Sequence, residues 1–277
     1  MIKHMDRDAG PAWATAHYGR GSEESRLGAG PGLLEQERTR ELLRRYLPPA
    51  PARLADIGAG PGAYSLWLVE RGYEVVARDL VPLHVEQLRA AAARRGLSVD
   101  TAVADARRLD LPDRVFDAVL LLGPLYHLQD REGRVQVLRE ANRIVVPGGV
   151  VLAVAISRWA VIMDGLLRLR LGEGDPDFGA VIDTVVETGR LDPLDEGGFS
   201  GYVHRPAELQ AEAAEAGLRE TALLSIEGPA AYLVDVDERW ASPAARNLVL
   251  DVARRLESVP ELAGMGSHLM LVAERRG

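Results

Sequence analysis

The chain has 277 residues, 47% hydrophobic and 27% charged, with 33 Lys+Arg against 41 Asp+Glu and a net charge of −8. That is one large or two modest domains with enough apolar sequence for a core, and the acidity argues against a phosphate-backbone binder, whose footprint is basic. The absence of cysteine excludes disulfides, cysteine-ligated zinc, iron–sulfur clusters and cysteine nucleophiles, and Lys3 as the only lysine excludes an interior Schiff base or P-loop lysine.

The spacing of Leu33, Leu34, Leu42, Leu43 and Tyr46 predicts a helix over 33–47, ended by Pro48-Pro49. Arg53–Ile57 reads as a strand running into a glycine turn, and Ala63–Arg71 as a helix stopped by Gly72. Glu74–Ala77 is a second strand, ending at Asp79. Val85–Arg95 is a helix stopped by Gly96, and Val99–Val103 a third strand. Val115–Leu122 is almost continuously apolar, as expected when both faces of a parallel sheet are covered. Arg131–Ile144 is a helix ended by Pro147-Gly148-Gly149, and Val150–Ile156 a fifth strand. This alternation indicates a doubly wound α/β sheet with ligands at the strand C-termini.

After Ile156 the rhythm breaks. Residues 157–203 carry mixed helical pieces and no clear strand. Pro206–Ala216 reads as a helix, Glu220–Ile226 as a strand, 229–264 as partly helical (notably Ala244–Leu256), and His268–Ala273 as a last strand. No run of about 18 apolar residues occurs, and the start lacks a basic region followed by an apolar run, so a cytoplasmic protein without a membrane partner is expected.

The sharpest local signal is Asp56-Ile57-Gly58-Ala59-Gly60-Pro61-Gly62, which leaves a strand and opens a helix. Glycines there permit a tight turn and close backbone approach to a ligand, and N–H groups at the helix start suit polar ligand atoms. Asp79 ends the second strand, where a carboxylate can accept from ribose hydroxyls. Asp105-Ala106 follows the third strand, and Leu122-Gly123-Pro124-Leu125-Tyr126-His127-Leu128 the fourth. Four strands thus deliver candidate contacts to one edge of the sheet.

This ordered set resembles the class I S-adenosylmethionine-dependent methyltransferase family, in its small-molecule branch. The residues that carry the likeness are Asp56–Gly62, Asp79, Ala104-Asp105-Ala106, Phe116-Asp117-Ala118-Val119, Pro147-Gly148-Gly149 and the late His268–Ala273 strand. The resemblance implies a mostly parallel seven-stranded Rossmann-like sheet. It also implies S-adenosyl-L-methionine as cofactor, S-adenosyl-L-homocysteine as product and a small-molecule methyl acceptor, with no nucleic-acid partner. By the same resemblance Gly58, Ala59, Gly60 and Gly62 cradle the cofactor's amino-acid part and Asp56 helps to place it. Asp79 then holds the ribose, Leu80 packs on the adenine, Asp105-Ala106 reads its amino group, and Leu122 offers a carbonyl near the methionine amine. Residues 1–32 would form a leader closing over the cofactor through Tyr18 and Arg26, since Arg suits carboxylates. Residues 33–277 would form the methyltransferase domain, with lid insertions at 157–203 and 229–264.

His127 is the candidate general base, because its loop leaves the fourth strand and imidazole titrates near neutrality; Tyr126 is the candidate wall of the reacting end. His204 is expected at the surface, His84 and His268 in structural roles, and Arg168 and Arg170 on a solvated helix face. Trp13 belongs to the leader. No divalent metal is expected at the fourth-strand edge, which carries Leu122-Gly123 in place of an acid. Two rival readings are a protein that binds the cofactor without turnover, and a nicotinamide-dependent oxidoreductase. For the latter the third glycine of the turn falls one residue early.

Overall fold

The computed structural model describes Tyr18 and residues 23–169, 178–192 and 199–276. Trp13 and Arg170 lie outside the described residues. Nine strands occur among them in chain order: β1 (Arg53–Ile57), β2 (Glu74–Asp79), β3 (Asp100–Val103), β4 (Phe116–Leu121), β5 (Val145–Ile156), β6 (Arg190–Leu191), β7 (Gly201–Tyr202), β8 (Leu218–Ser225) and β9 (His268–Arg275). Seven of them form one sheet in the order β3-β2-β1-β4-β5-β9-β8. The first five are parallel, and β9 runs antiparallel to both β5 and β8.

Alternation along β1, β4 and β5 sends side chains to opposite faces. Ala55, Val119, Leu121, Val151 and Ala153 pack under the helices Arg131–Ile144 and Pro206–Glu215. Leu54, Ala118, Leu120, Leu152 and Val154 pack under the helix Pro31–Tyr46 and Trp67. β4 is therefore buried on both faces, which is why it reads as a continuous apolar run.

Two expectations are corrected. Residues 157–203 contain the helices Arg158–Leu167 and Phe178–Thr188 and also the antiparallel pair β6–β7. With two residues per strand, that ribbon is too short to show a period-2 pattern. β5 starts at Val145, not Val150: the register with β4 jumps from Phe116↔Val145 to Ala118↔Val150, and Pro147-Gly148-Gly149 forms the bulge.

The register Ile156↔His268 brings the start of β9 to the edge where β1, β2 and β4 end. Sites built on that edge draw on both the first half of the chain and its last strand.

Candidate active site

The glycine turn after β1 is held by its own backbone. Gly58, Gly60 and Gly62 have φ of +73°, +55° and +96°, a region that side chains rarely adopt. A Cβ at Gly58 would stand 2.8 Å from the Pro124 ring, and one at Gly62 would overlap Leu88, whereas Gly60 faces open space. The N–H groups of Gly58 and Ala59 donate to the Arg78 carbonyl (2.7 and 3.2 Å), and that of Gly62 to Ala59 (3.1 Å). Gly60 donates to Asp79 Oδ2 (2.7 Å). The expectation that this turn offers its N–H groups to a ligand is corrected for these four. A turn crossing a neighbouring strand must satisfy its donors there, so what remains for a ligand is close approach at Gly60.

Asp79 ends β2 with a buried carboxylate. Oδ1 accepts from the Val81 N–H (2.8 Å) and meets His84 Nδ1 (3.2 Å), and Oδ2 accepts from Gly60. Beyond β3, Asp105 accepts from the Arg107 backbone N–H (2.9 Å) and guanidinium (2.7 Å). Burial favours the neutral acid there, but Arg107 outweighs it and holds the Asp105 carboxyl below its ordinary range. Beyond β4 the chain makes one helical turn, Pro124–His127, and the Tyr126 hydroxyl donates to the Leu122 carbonyl (3.4 Å).

These strand ends enclose a pocket. Of the residues singled out from sequence, Tyr18, Gly58, Gly60, Asp79, Leu80, Asp105, Ala106, Tyr126 and His127 line it. The structure does not bring Arg26, Asp56, Ala59, Gly62 or Leu122 to that wall. Ala59 packs behind the turn on Leu66, Ala77 and Leu88. Asp56 lies beneath the turn, 1% exposed, with one bond from Ser65 Oγ (2.5 Å). Burial, helped by the charge of Asp79, raises its carboxyl to about 6. Arg26 pairs with Glu35 through two bonds (2.6 and 2.9 Å) and with Glu23 (2.7 Å), so carboxylates of this chain occupy its guanidinium.

An aromatic cluster closes the pocket. Tyr18 stands edge-on to His84 and His127, with centroids 5.3 and 5.4 Å apart, and its hydroxyl meets His127 Nε2 at 3.2 Å. His127 also packs on Tyr126 (4.6 Å) and Phe199 (5.7 Å). Burial raises the hydroxyls of Tyr18 and Tyr126 above their ordinary range, so both stay protonated. His84 is the residue that sequence reasoning missed. It lines the pocket at 4% exposure, and its Nε2 is buried without a hydrogen-bond partner among the described residues. Its place five residues after Asp79, on the first turn of a helix opening at Pro82, was the available signal.

His204 is fully buried rather than at the surface. Its Nε2 meets Glu212 (3.2 Å), which also takes three bonds from buried Arg134. Burial lowers its imidazole below the ordinary range despite that carboxylate. Arg168 pairs with Asp164 (2.6 Å) and faces a second cavity, shared with Arg26, Glu35, Glu227, Ser267 and His268. There Glu227 Oε1 meets His268 Nδ1 at 2.6 Å, and Oε2 accepts the His268 N–H at 3.0 Å. Burial alone would lower the His268 imidazole, but Glu227 and Glu35 raise it to about 9.

Residues 54–149 match a family model described as a methyltransferase domain. The chain is 39% identical over 102 residues to a demethylmenaquinone methyltransferase of Thermus thermophilus, covering 36% of this chain and 45% of that protein. It is 34% identical over 106 residues to a ubiquinone biosynthesis O-methyltransferase of Methylocella silvestris, covering 38% and 40%. The matched stretch thus spans less than half the length of either relative. A crystal structure of a SAM-dependent methyltransferase from Methanosarcina mazei superposes with a TM-score of 0.58 at 17% identity, covering 85% of this chain and 97% of that one, a likeness of fold. With the glycine turn, Asp79 and the seven-stranded sheet in place, residues 54–149 form a methyltransferase domain of the class I S-adenosylmethionine-dependent kind.

Proposed function

We propose that the chain transfers a methyl group from S-adenosylmethionine to a small organic acceptor. The carrying observation is the end of β2. Asp79 uses three of the roughly four acceptor positions of a carboxylate on this chain's own donors. Oδ2 keeps one, and His84 Nε2 beside it has no partner among the described residues. These two polar positions, on residues that line one pocket with Gly60, suit the two hydroxyls of a ribose, and Leu80 and Ala106 supply apolar surface for a purine. The residues present therefore fit an adenosyl group.

When bound, the cofactor supplies a sulfonium methyl, which passes to the acceptor's nucleophilic atom while sulfur keeps the bonding pair. The chain's work is positioning and exclusion of water. Asp79, His84 and Asp105 orient the nucleoside. Tyr18, Tyr126 and His127 wall the reacting end, Tyr18 being the contribution of the 1–32 leader. Asp56 acts from beneath the turn as a support. Arg26 pairs with Glu35 and Glu23 rather than with the cofactor's carboxylate. His127 takes the acceptor's proton where one must leave. Residues 157–203 and 229–264 serve as the lid: Arg168 and Ala231, one from each, face the second cavity. Among the described residues no helix is long and apolar enough to cross a membrane. The same reading puts the chain in the cytoplasm, acting on a small molecule and not on nucleic acid.

The test is thermal unfolding with S-adenosylhomocysteine, with NAD as control, on wild type and Asp79→Ala, followed by mass-spectrometric screening of hydroxylated ring acceptors. A ligand at a hundred times its dissociation constant stabilises by about 2.7 kcal/mol, and Asp79→Ala is expected to abolish that shift. A shift with NAD alone refutes the assignment. A shift with S-adenosylhomocysteine but no methylated product supports binding without turnover.

A further inference from the structure

Three side chains from distant parts of the chain meet on the wall of the second cavity. Glu35 comes from the helix Pro31–Tyr46, Glu227 from the residues after β8, and His268 from the first position of β9. One ligand atom from each lies within 4.8 Å of the other two. Glu227 is buried, the other two are half-buried, and all three line a cavity with room for several waters.

The carboxylates around this set outnumber the arginines that balance them. Glu23, Glu35 and Glu227 carry three negative charges. Arg26, bonded to Glu23 and Glu35, removes one of them, and Arg168 is already balanced by Asp164. Two carboxylates with an imidazole and no thiolate suit a borderline ion better than Ca²⁺ or a soft metal. Bonds of about 2.0–2.2 Å need donors roughly 3.4 Å apart in a tetrahedral set. Closing the present spacing turns the Glu35 arm away from Arg26, which holds it through two bonds.

We propose that Glu35, Glu227 and His268 form a binding site for one divalent cation of the Mn²⁺-to-Zn²⁺ series, with its cavity side left to water or an acceptor oxygen. This site is remote from the fourth-strand edge where a metal was not expected. Binding of the ion does not depend on the methyl-transfer reading. Its use does: Arg26 on this cavity's wall bonds Glu23, which lines the cofactor pocket, so the ion would polarise an acceptor oxygen near that pocket.

The test uses the full chain after treatment with EDTA. Mn²⁺ is titrated by EPR and Zn²⁺ by calorimetry. One ion per chain is expected, with nitrogen modulation from an imidazole in pulsed EPR of bound Mn²⁺. His268→Gln and Glu35→Gln should each weaken binding at least tenfold, and His268→Gln should remove the modulation. The exposed control Glu132→Gln should change neither. Glu227→Gln also disturbs the His268 backbone contact, so the other two variants carry the test, each with its melting temperature recorded. Absence of binding by wild type, or wild-type affinity in both variants, overturns the site. S-adenosylhomocysteine titrated into the same samples reads the methyl-transfer assignment separately, since its loss touches only that assignment.

Discussion

Replacing Asp56 by Asn should remove a pH dependence of stability that the fold creates. The carboxyl is 1% exposed with one hydrogen bond, from Ser65, and its pKa stands at about 6 against an ordinary 3.8. Because the folded value is raised, the folded chain holds this proton more tightly than the unfolded one. The stabilisation is complete below pH 3.8 and is lost as pH rises through about 6. A shift of this size corresponds to about 3 kcal/mol in full, and one-site linkage gives a gain of about 1.3 kcal/mol between pH 7 and pH 5. Asn is close in shape, can still accept from Ser65 and does not titrate in this range. Urea unfolding at pH 7, 6 and 5 on wild type and Asp56→Asn reads the difference, and the other titrating groups cancel because both proteins share them. Wild type should gain about 1.3 kcal/mol on the variant over that interval. Parallel pH profiles would refute the argument that burial sets this carboxyl's proton affinity.

Gly62→Ala combines φ of +96° with a methyl overlapping Leu88, so stability should fall by about 1–3 kcal/mol; an unchanged melting temperature would contradict it. Arg134→Met strands buried Glu212 and releases the Leu128 and Gln129 carbonyls that Arg134 holds at 3.0 and 2.9 Å. A loss of about 3–5 kcal/mol is expected, with partial recovery when Glu212→Leu is added. His127→Asn should leave S-adenosylhomocysteine affinity nearly intact and lower turnover by about 10²-fold or more on an acceptor that must lose a proton. Equal losses in binding and turnover would make His127 a wall residue only.

The first half of the fold was legible because its signals are local. Each strand from β1 to β4 ends on a residue or turn whose chemistry shows in a few consecutive positions, and Asp56–Gly62 and Asp79 needed no long-range knowledge. The second half was less so. His204 reads as a solvated residue between Val203 and Arg205, and only the packing of β7 against the Arg131–Ile144 and Pro206–Glu215 helices makes it core. Arg26 looked available because its partner Glu35 sits nine positions away across a turn. The bonding of the glycine turn to Arg78 and Asp79 was hidden because it depends on how β1 and β2 pair. Glu35, Glu227 and His268 share no segment, and no spacing rule joins them.

The position of β9 has a consequence for how this protein is made. It lies between β5 and β8, and Leu269–Ala273 are almost completely inaccessible to solvent. Every other strand of the main sheet leaves the ribosome before it. Until β9 arrives, β5 and β8 each present an unpaired edge, an exposed template for association with other chains. The nascent chain must therefore keep a half-built sheet apart from its neighbours until β9 is synthesised. Interruption of translation just short of His268 would release a species whose fate is aggregation or proteolysis.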